Sequence, residues 1–177
     1  MIVERRNITQ RDTANRLEQR ETEVDLDRLR LVRSTTLQLV DGLSDADATF
    51  QSMTDASPAK WHIGHTTWFF EAVVLNPYVA GYQTFDNSFH FIFNSYYEAL
   101  SPRHLRHRRG MLTRPSLERV IAYRAHVDEA LDDFMSAEDV SEEVWDLIEL
   151  GMNHEQQPQE LLLTDILHLF LENPLRP

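Results

Sequence analysis

With no cysteine in the chain, neither a thiol nucleophile nor a disulfide is available, and the eight histidines carry much of the chemistry the sequence can offer. The informative ones are those a fold must bury, because an ionisable side chain taken out of water costs free energy unless something pairs with it. Wound at about 100° per residue, Trp61, His65, Trp68, Ala72 and Leu75 share one face of a helix. His65 therefore points into a core. His62 lies on the shoulder of that stripe and is the weaker candidate for an interior role. Further along, Val144, Leu147, Ile148, Gly151, Leu162, Ile166 and Leu169 define a second inward stripe, and His154, Glu155, Asp165 and position 158 fall within it.

Histidines on two core-facing helices, with a carboxylate beside one of them, are the ingredients of a metal site inside a helical bundle. A single buried histidine is more often satisfied by a backbone carbonyl or a carboxylate, so stripe position alone leaves both readings open. The string His154-Glu-Gln-Gln-Pro158 resembles the zinc protease pattern H-E-x-x-H but lacks its second histidine, so that motif is not met.

The elements that must position these residues are helical. Leu26, Leu29, Val32, Leu37 and Val40 keep a near-helical spacing that stops at Asp41-Gly42. Ser57-Pro58 predicts an N-cap with proline at the first helical position, opening a second helix that ends at Leu75 before Asn76-Pro77. Residues 76 to 112 hold many aromatics without a sustained period and read as a long connection, a length often associated with function. Thr113-Arg-Pro115-Ser116 opens a third helix through Val120, Tyr123, Val127, Leu131 and Phe134, and Ser141-Glu-Glu143 a fourth that runs toward Asn173-Pro174. The expected fold is all-α: a four-helix bundle over residues 21–177 with a long aromatic-rich connection between helices 2 and 3, preceded by an arm or leading helix at 1–20.

Composition bounds the rest. The 177 residues, 42% apolar, fill one domain, and five glycines fit a helical fold better than a strand-and-turn one. A net charge of −12 argues against nucleic acid, and the one basic run, Arg103-His-Leu-Arg-His-Arg-Arg109, reads as a solvated loop. The start, Met1-Ile-Val-Glu-Arg-Arg, does not read as an apolar core followed by a small-residue cleavage site, and no 18 uncharged apolar residues run together, so a cytoplasmic location without a membrane span is expected.

Four ordered blocks resemble a known family: Ser57-Pro-Ala-Lys-Trp-His-Ile-Gly-His-Thr-Thr-Trp-Phe-Phe-Glu71, Phe93-Asn-Ser-Tyr-Tyr-Glu98, Arg109-Gly-Met-Leu-Thr-Arg-Pro115 and Leu150-Gly-Met-Asn-His-Glu-Gln-Gln-Pro-Gln-Glu-Leu-Leu-Leu-Thr-Asp-Ile166. Together they are similar to the N-terminal domain of the ergothioneine sulfoxide synthases (EgtB), itself similar to the DinB family of four-helix bundles that hold a divalent metal with three histidines. The resemblance implies non-haem Fe(2+), with Ni or Zn as other candidates, held by His65 and by an H-x-x-x-H pair of which His154 is the first member. The third ligand falls on Pro158, and Gln157 matches a position that helps hold the betaine substrate.

Proline has no side-chain nitrogen to offer, so the set as written has two histidines. In mid-helix it also removes a hydrogen bond to the His154 carbonyl and crowds it, at a cost of about 3 kcal/mol unless the helix kinks. A relaxed need for metal, a variant sequence, or a replacement ligand such as Glu155 or His62 would each account for it. The family enzyme continues into a larger domain that supplies its tyrosine and much of its substrate surface, whereas this chain ends at Leu175-Arg-Pro177. No catalytic residue is therefore assigned, and the chain alone is not expected to form the C–S bond. Alternatives are a subunit that docks onto a separate C-terminal EgtB-type catalytic domain, and a DinB-like metal-dependent thiol transferase. A homodimer fits the resemblance as well.

Overall fold

The computed structural model describes residues 25–95, 103–136 and 140–175, and every regular element among them is helical. The arm expected at 1–20, and Tyr96-Tyr-Glu98 of the second resembling block, lie outside the described residues. Helix α1 covers 25–38 and buries Leu26, Leu29 and Val32; the turn after it closes at Gly42, whose φ of +82° is readily open only to glycine. A short α2, Asp45–Thr49, follows on a reciprocal cap: the Asp47 N–H donates to Ser44 Oγ and the Ser44 N–H to the Asp47 carboxylate, each at 3.1 Å.

Helix α3, Ala59–Phe70, starts one residue later than expected, with Pro58 rather than Ser57 as N-cap. The Ser57 N–H is taken by Asp165 Oδ2 at 2.9 Å, which anchors the start of α3 to the last long helix. The chain does not stop at Asn76-Pro77 but runs through a π-helical segment, Glu71–Leu75, into a last turn, α4, Asn76–Tyr78. Pro77 sits in the first turn of α4, where its missing N–H is harmless. The aromatic connection also holds α5, Phe89–Phe93, and a 3-10 helix, Arg106–Met111. Segments this short have no period to display in sequence. Helix α6, Leu117–Met135, is capped by Ser116, and α7, Glu142–Glu172, follows Ser141 and stays helical across Pro158.

All twelve residues of α3 are buried, because α5, α6 and α7 pack around it. Two glycines permit the closest approaches. A Cβ on Gly64 would lie 2.2 Å from Phe93 Cε1, and one on Gly151 would lie 2.6 Å from Phe70 Cε1. Glu71, fully buried, holds the connection in place by accepting from Tyr82 Oη at 2.8 Å, the Phe85 N–H at 3.1 Å and Tyr123 Oη at 2.6 Å.

Helices α1 and α6 meet α7 at Glu155. Its Oε1 accepts from Thr36 Oγ1 of α1 at 2.6 Å and from Arg124 Nη2 of α6, and its Oε2 from Arg33 Nη1 of α1 at 3.1 Å. Arg124 also reaches Thr66 Oγ1 of α3 at 3.2 Å and the Arg33 carbonyl at 2.8 Å. Burial alone would raise the Glu155 pKa, but Arg124 and Arg33 outweigh it and hold the carboxyl below its ordinary range.

Gly64→Ala should lower stability by about 1–3 kcal/mol, because the Phe93 ring must move and α5 with it. An unchanged urea midpoint would show that α5 does not depend on this contact.

Candidate functional site

His65 and His154 come together. Their ring centroids are 4.9 Å apart at an interplanar angle of 76°. The His65 ring also stacks against Trp61 at 4.7 Å and lies near-parallel to Trp68 at 5.9 Å, so its orientation is fixed by packing. Its Nδ1 is 2.7 Å from the Phe93 carbonyl oxygen. A carbonyl only accepts, so Nδ1 carries the hydrogen, and in the neutral ring Nε2 holds the free lone pair. Burial first, then the proximity of His154, pushes the His65 pKa down to about 3, so the ring is neutral at pH 7. A neutral imidazole whose other nitrogen donates to a carbonyl is the usual arrangement of a metal-binding histidine.

His154, half-buried, stacks on Phe69 at 4.7 Å. Its Nδ1 is buried and makes no hydrogen bond among the described residues, and burial lowers its pKa as well. An inaccessible ring nitrogen without a partner is an atom that a metal ion would satisfy.

The expectation that His62 is poorly placed for the interior is corrected: it is 2% exposed, more deeply buried than His65. Stripe reasoning presumes a helix with a wet side, and α3 has none. His62 Nε2 donates to Asp165 Oδ2 at 2.9 Å, which leaves Nδ1 as a buried acceptor without a partner. Burial again lowers its pKa.

Glu155 is engaged elsewhere, both oxygens being held in the ion group described above. Gln157 is exposed on α7, whereas Pro158 is buried. Among the described residues, no three His, Asp or Glu side chains converge closely enough to hold a metal ion.

The basic run is not a wholly solvated loop: Arg103 and His104 are half-buried, and Arg103 Nη1 donates to the Ser95 carbonyl at 2.6 Å. Arg106, His107 and Arg108 are exposed, but Arg109 is 3% exposed. Its guanidinium carbon lies 3.2 Å from the centroid of the Trp61 ring; Nη1 donates to Ser57 Oγ at 2.8 Å and Nη2 to Ser95 Oγ at 3.3 Å. Four cationic residues in seven give no pattern that separates the buried one from the others. The Phe93 carbonyl that orients His65 is a backbone group and leaves no mark on side-chain patterns. No helix among the described residues is long and apolar enough to cross a membrane.

Because His62, His65 and His154 all have lowered folded-state pKa values, the unfolded chain binds protons first as pH falls. Stability is then fully present above about pH 6.5 and declines on acidification through the range below it. Between pH 6.5 and 5, where the carboxylates are still ionised, His65→Gln should flatten this decline in urea titrations. An equal decline in the variant would show that His65 is not held neutral by the fold.

No curated protein matches the chain. A family model described as the DinB superfamily matches residues 28–168, from the first turn of α1 to the last turns of α7. That match covers most of the sequence and takes in both helices that carry the histidine pair, and the chain belongs to the DinB superfamily.

Proposed function

We propose that this domain is EgtB-like, related to the iron-binding half of the ergothioneine sulfoxide synthases, and that it holds a divalent metal weakly without performing O2-dependent C–S bond formation on its own. The observation that carries this reading is the neutral histidine pair, His65 and His154, with the Phe93 carbonyl setting the tautomer of the first. The four long helices α1, α3, α6 and α7 fit a DinB-type four-helix bundle, with the pair on the facing helices α3 and α7.

The donor set fits two of the three histidine positions that the EgtB pattern requires. His65 Nε2 and His154 Nδ1 would hold the ion, and Pro158 contributes nothing to it. Fe(2+) is the metal the resemblance implies, and Ni or Zn would compete for imidazole nitrogen. When bound, the metal would supply a Lewis-acidic centre. The residues of this chain orient the two rings: Trp61, Trp68 and Phe69 pack against them, and the Phe93 carbonyl holds the proton on the far nitrogen of His65. Of the replacement ligands considered, both oxygens of Glu155 are occupied, and His62, although its Nδ1 has no partner among the described residues and its other nitrogen is on Asp165, does not converge with His65 and His154 on one point.

Calorimetric titration with Ni2+ or, under anaerobic conditions, Fe2+ should give weak binding that His65→Ala removes. Pro158→His should tighten binding by on the order of 100-fold by restoring a third imidazole. Equal affinity of the parent and the Pro158→His variant would mean that position 158 does not face the metal, and the reading would fall.

A further inference from the structure

The Trp61 indole has a partner on each face. The His65 ring is nearly parallel to it, 17° and 4.7 Å between centroids, while the Arg109 guanidinium carbon lies 3.2 Å from the indole centroid. Two groups at those distances cannot share one face of the ring without overlapping, so Trp61 is sandwiched and His65, Trp61 and Arg109 form one stack. The same three side chains grip one short stretch of chain at the end of α5, from Ile92 to Ser95. Trp61 Nε1 donates to the Ile92 carbonyl at 2.9 Å, His65 Nδ1 to the Phe93 carbonyl at 2.7 Å, and Arg109 Nη2 to Ser95 Oγ at 3.3 Å. Arg109 Nη1 ties the far side of the stack to Ser57, just ahead of α3.

We propose that Arg109 is a positioning residue for His65: it presses the indole onto the imidazole and, through Ser95, holds the Phe93 carbonyl where only the Nδ1–H form of the ring fits. The part concerning metal rests on the reading of His65 as a ligand; the part concerning the ring does not. Arg109 is poorly suited to bind a substrate anion directly. It is 3% exposed, and the space bordered by Lys60, Trp61, Phe93 and Arg109 has a volume of ≈ 10 Å³, room for about one water. An arginine lying on an aromatic face, with its fork divided between two hydroxyls, acts through shape and charge together, which lysine reproduces only in part.

The test uses the metal-free full chain labelled with 15N at histidine, followed by Ni2+ titration of the same samples. Long-range 1H–15N spectra should show His65 as the Nδ1–H tautomer in the parent. Arg109→Met should bring in the Nε2–H form and weaken Ni2+ binding by on the order of 10-fold, the scale on which outer partners of a ligand act. Arg109→Lys should recover part of both effects, which a merely space-filling role would not require. Ser95→Ala, which removes one hydroxyl and leaves the guanidinium in place, should shift the tautomer in the same direction and serves if Arg109→Met does not fold. A folded Arg109→Met with the parent tautomer and parent Ni2+ affinity would overturn the proposal. Ser95→Ala with the parent tautomer would overturn the route through Phe93. If Ni2+ fails to bind the parent while the tautomer still depends on Arg109, the metal reading falls and the positioning role stands.

Discussion

A helix that water reaches from no side constrains the rest of this structure. Every polar side chain on α3 must find a partner inside the protein, and the surrounding elements are arranged as those partners. Asp165 meets His62, the Phe93 carbonyl meets His65, and Arg124 meets Thr66 and Thr67. Lys60 marks the limit of this accommodation. Its Nζ is buried without a hydrogen-bond partner among the described residues, and burial pulls its pKa down. The histidine chemistry follows from the same enclosure, because it is chiefly desolvation that keeps the imidazoles neutral and able to donate a lone pair.

The ion group at Glu155 fixes α7 within that enclosure. An isolated carboxylate at zero exposure would be costly, and two arginines and a hydroxyl offset the cost by filling its lone pairs from separate helices. Because Glu155 follows His154 directly, the clamp sets the rotation of α7 about its own axis and so the direction in which His154 projects. Part of the site's geometry is thus held by residues that do not touch it.

Much of this was legible in the sequence where a helix has one apolar face. On α7 the stripe placed Glu155 and position 158 inward, and the opening strings Thr113-Arg-Pro115-Ser116 and Ser141-Glu-Glu143 located the starts of α6 and α7. The same reasoning failed on α3, where His62 was judged from a polar shoulder that does not exist in a helix packed all round. The connection between α4 and α6 was legible only as aromatic-rich. Its organisation depends on Glu71 drawing in Tyr82, Phe85 and Tyr123 from separate places in the chain. Arg109 belongs to the same class, since a cation is read as a surface residue until a ring face and two hydroxyls are found around it.

The surroundings of Pro158 explain how α7 accommodates it. On one side Glu155 is clamped by Arg33, Thr36 and Arg124; on the other, Gln159 Nε2 donates to the Val32 carbonyl at 2.9 Å and to Thr36 Oγ1 at 3.0 Å. The turn that lacks a main-chain bond is therefore splinted to α1 from both ends by side chains. A proline that could act as a hinge in a free helix is here bridged on both sides, and α7 stays helical across all 31 residues. The anchoring of this turn thus comes from side chains on either side of position 158, not from the residue at 158 itself.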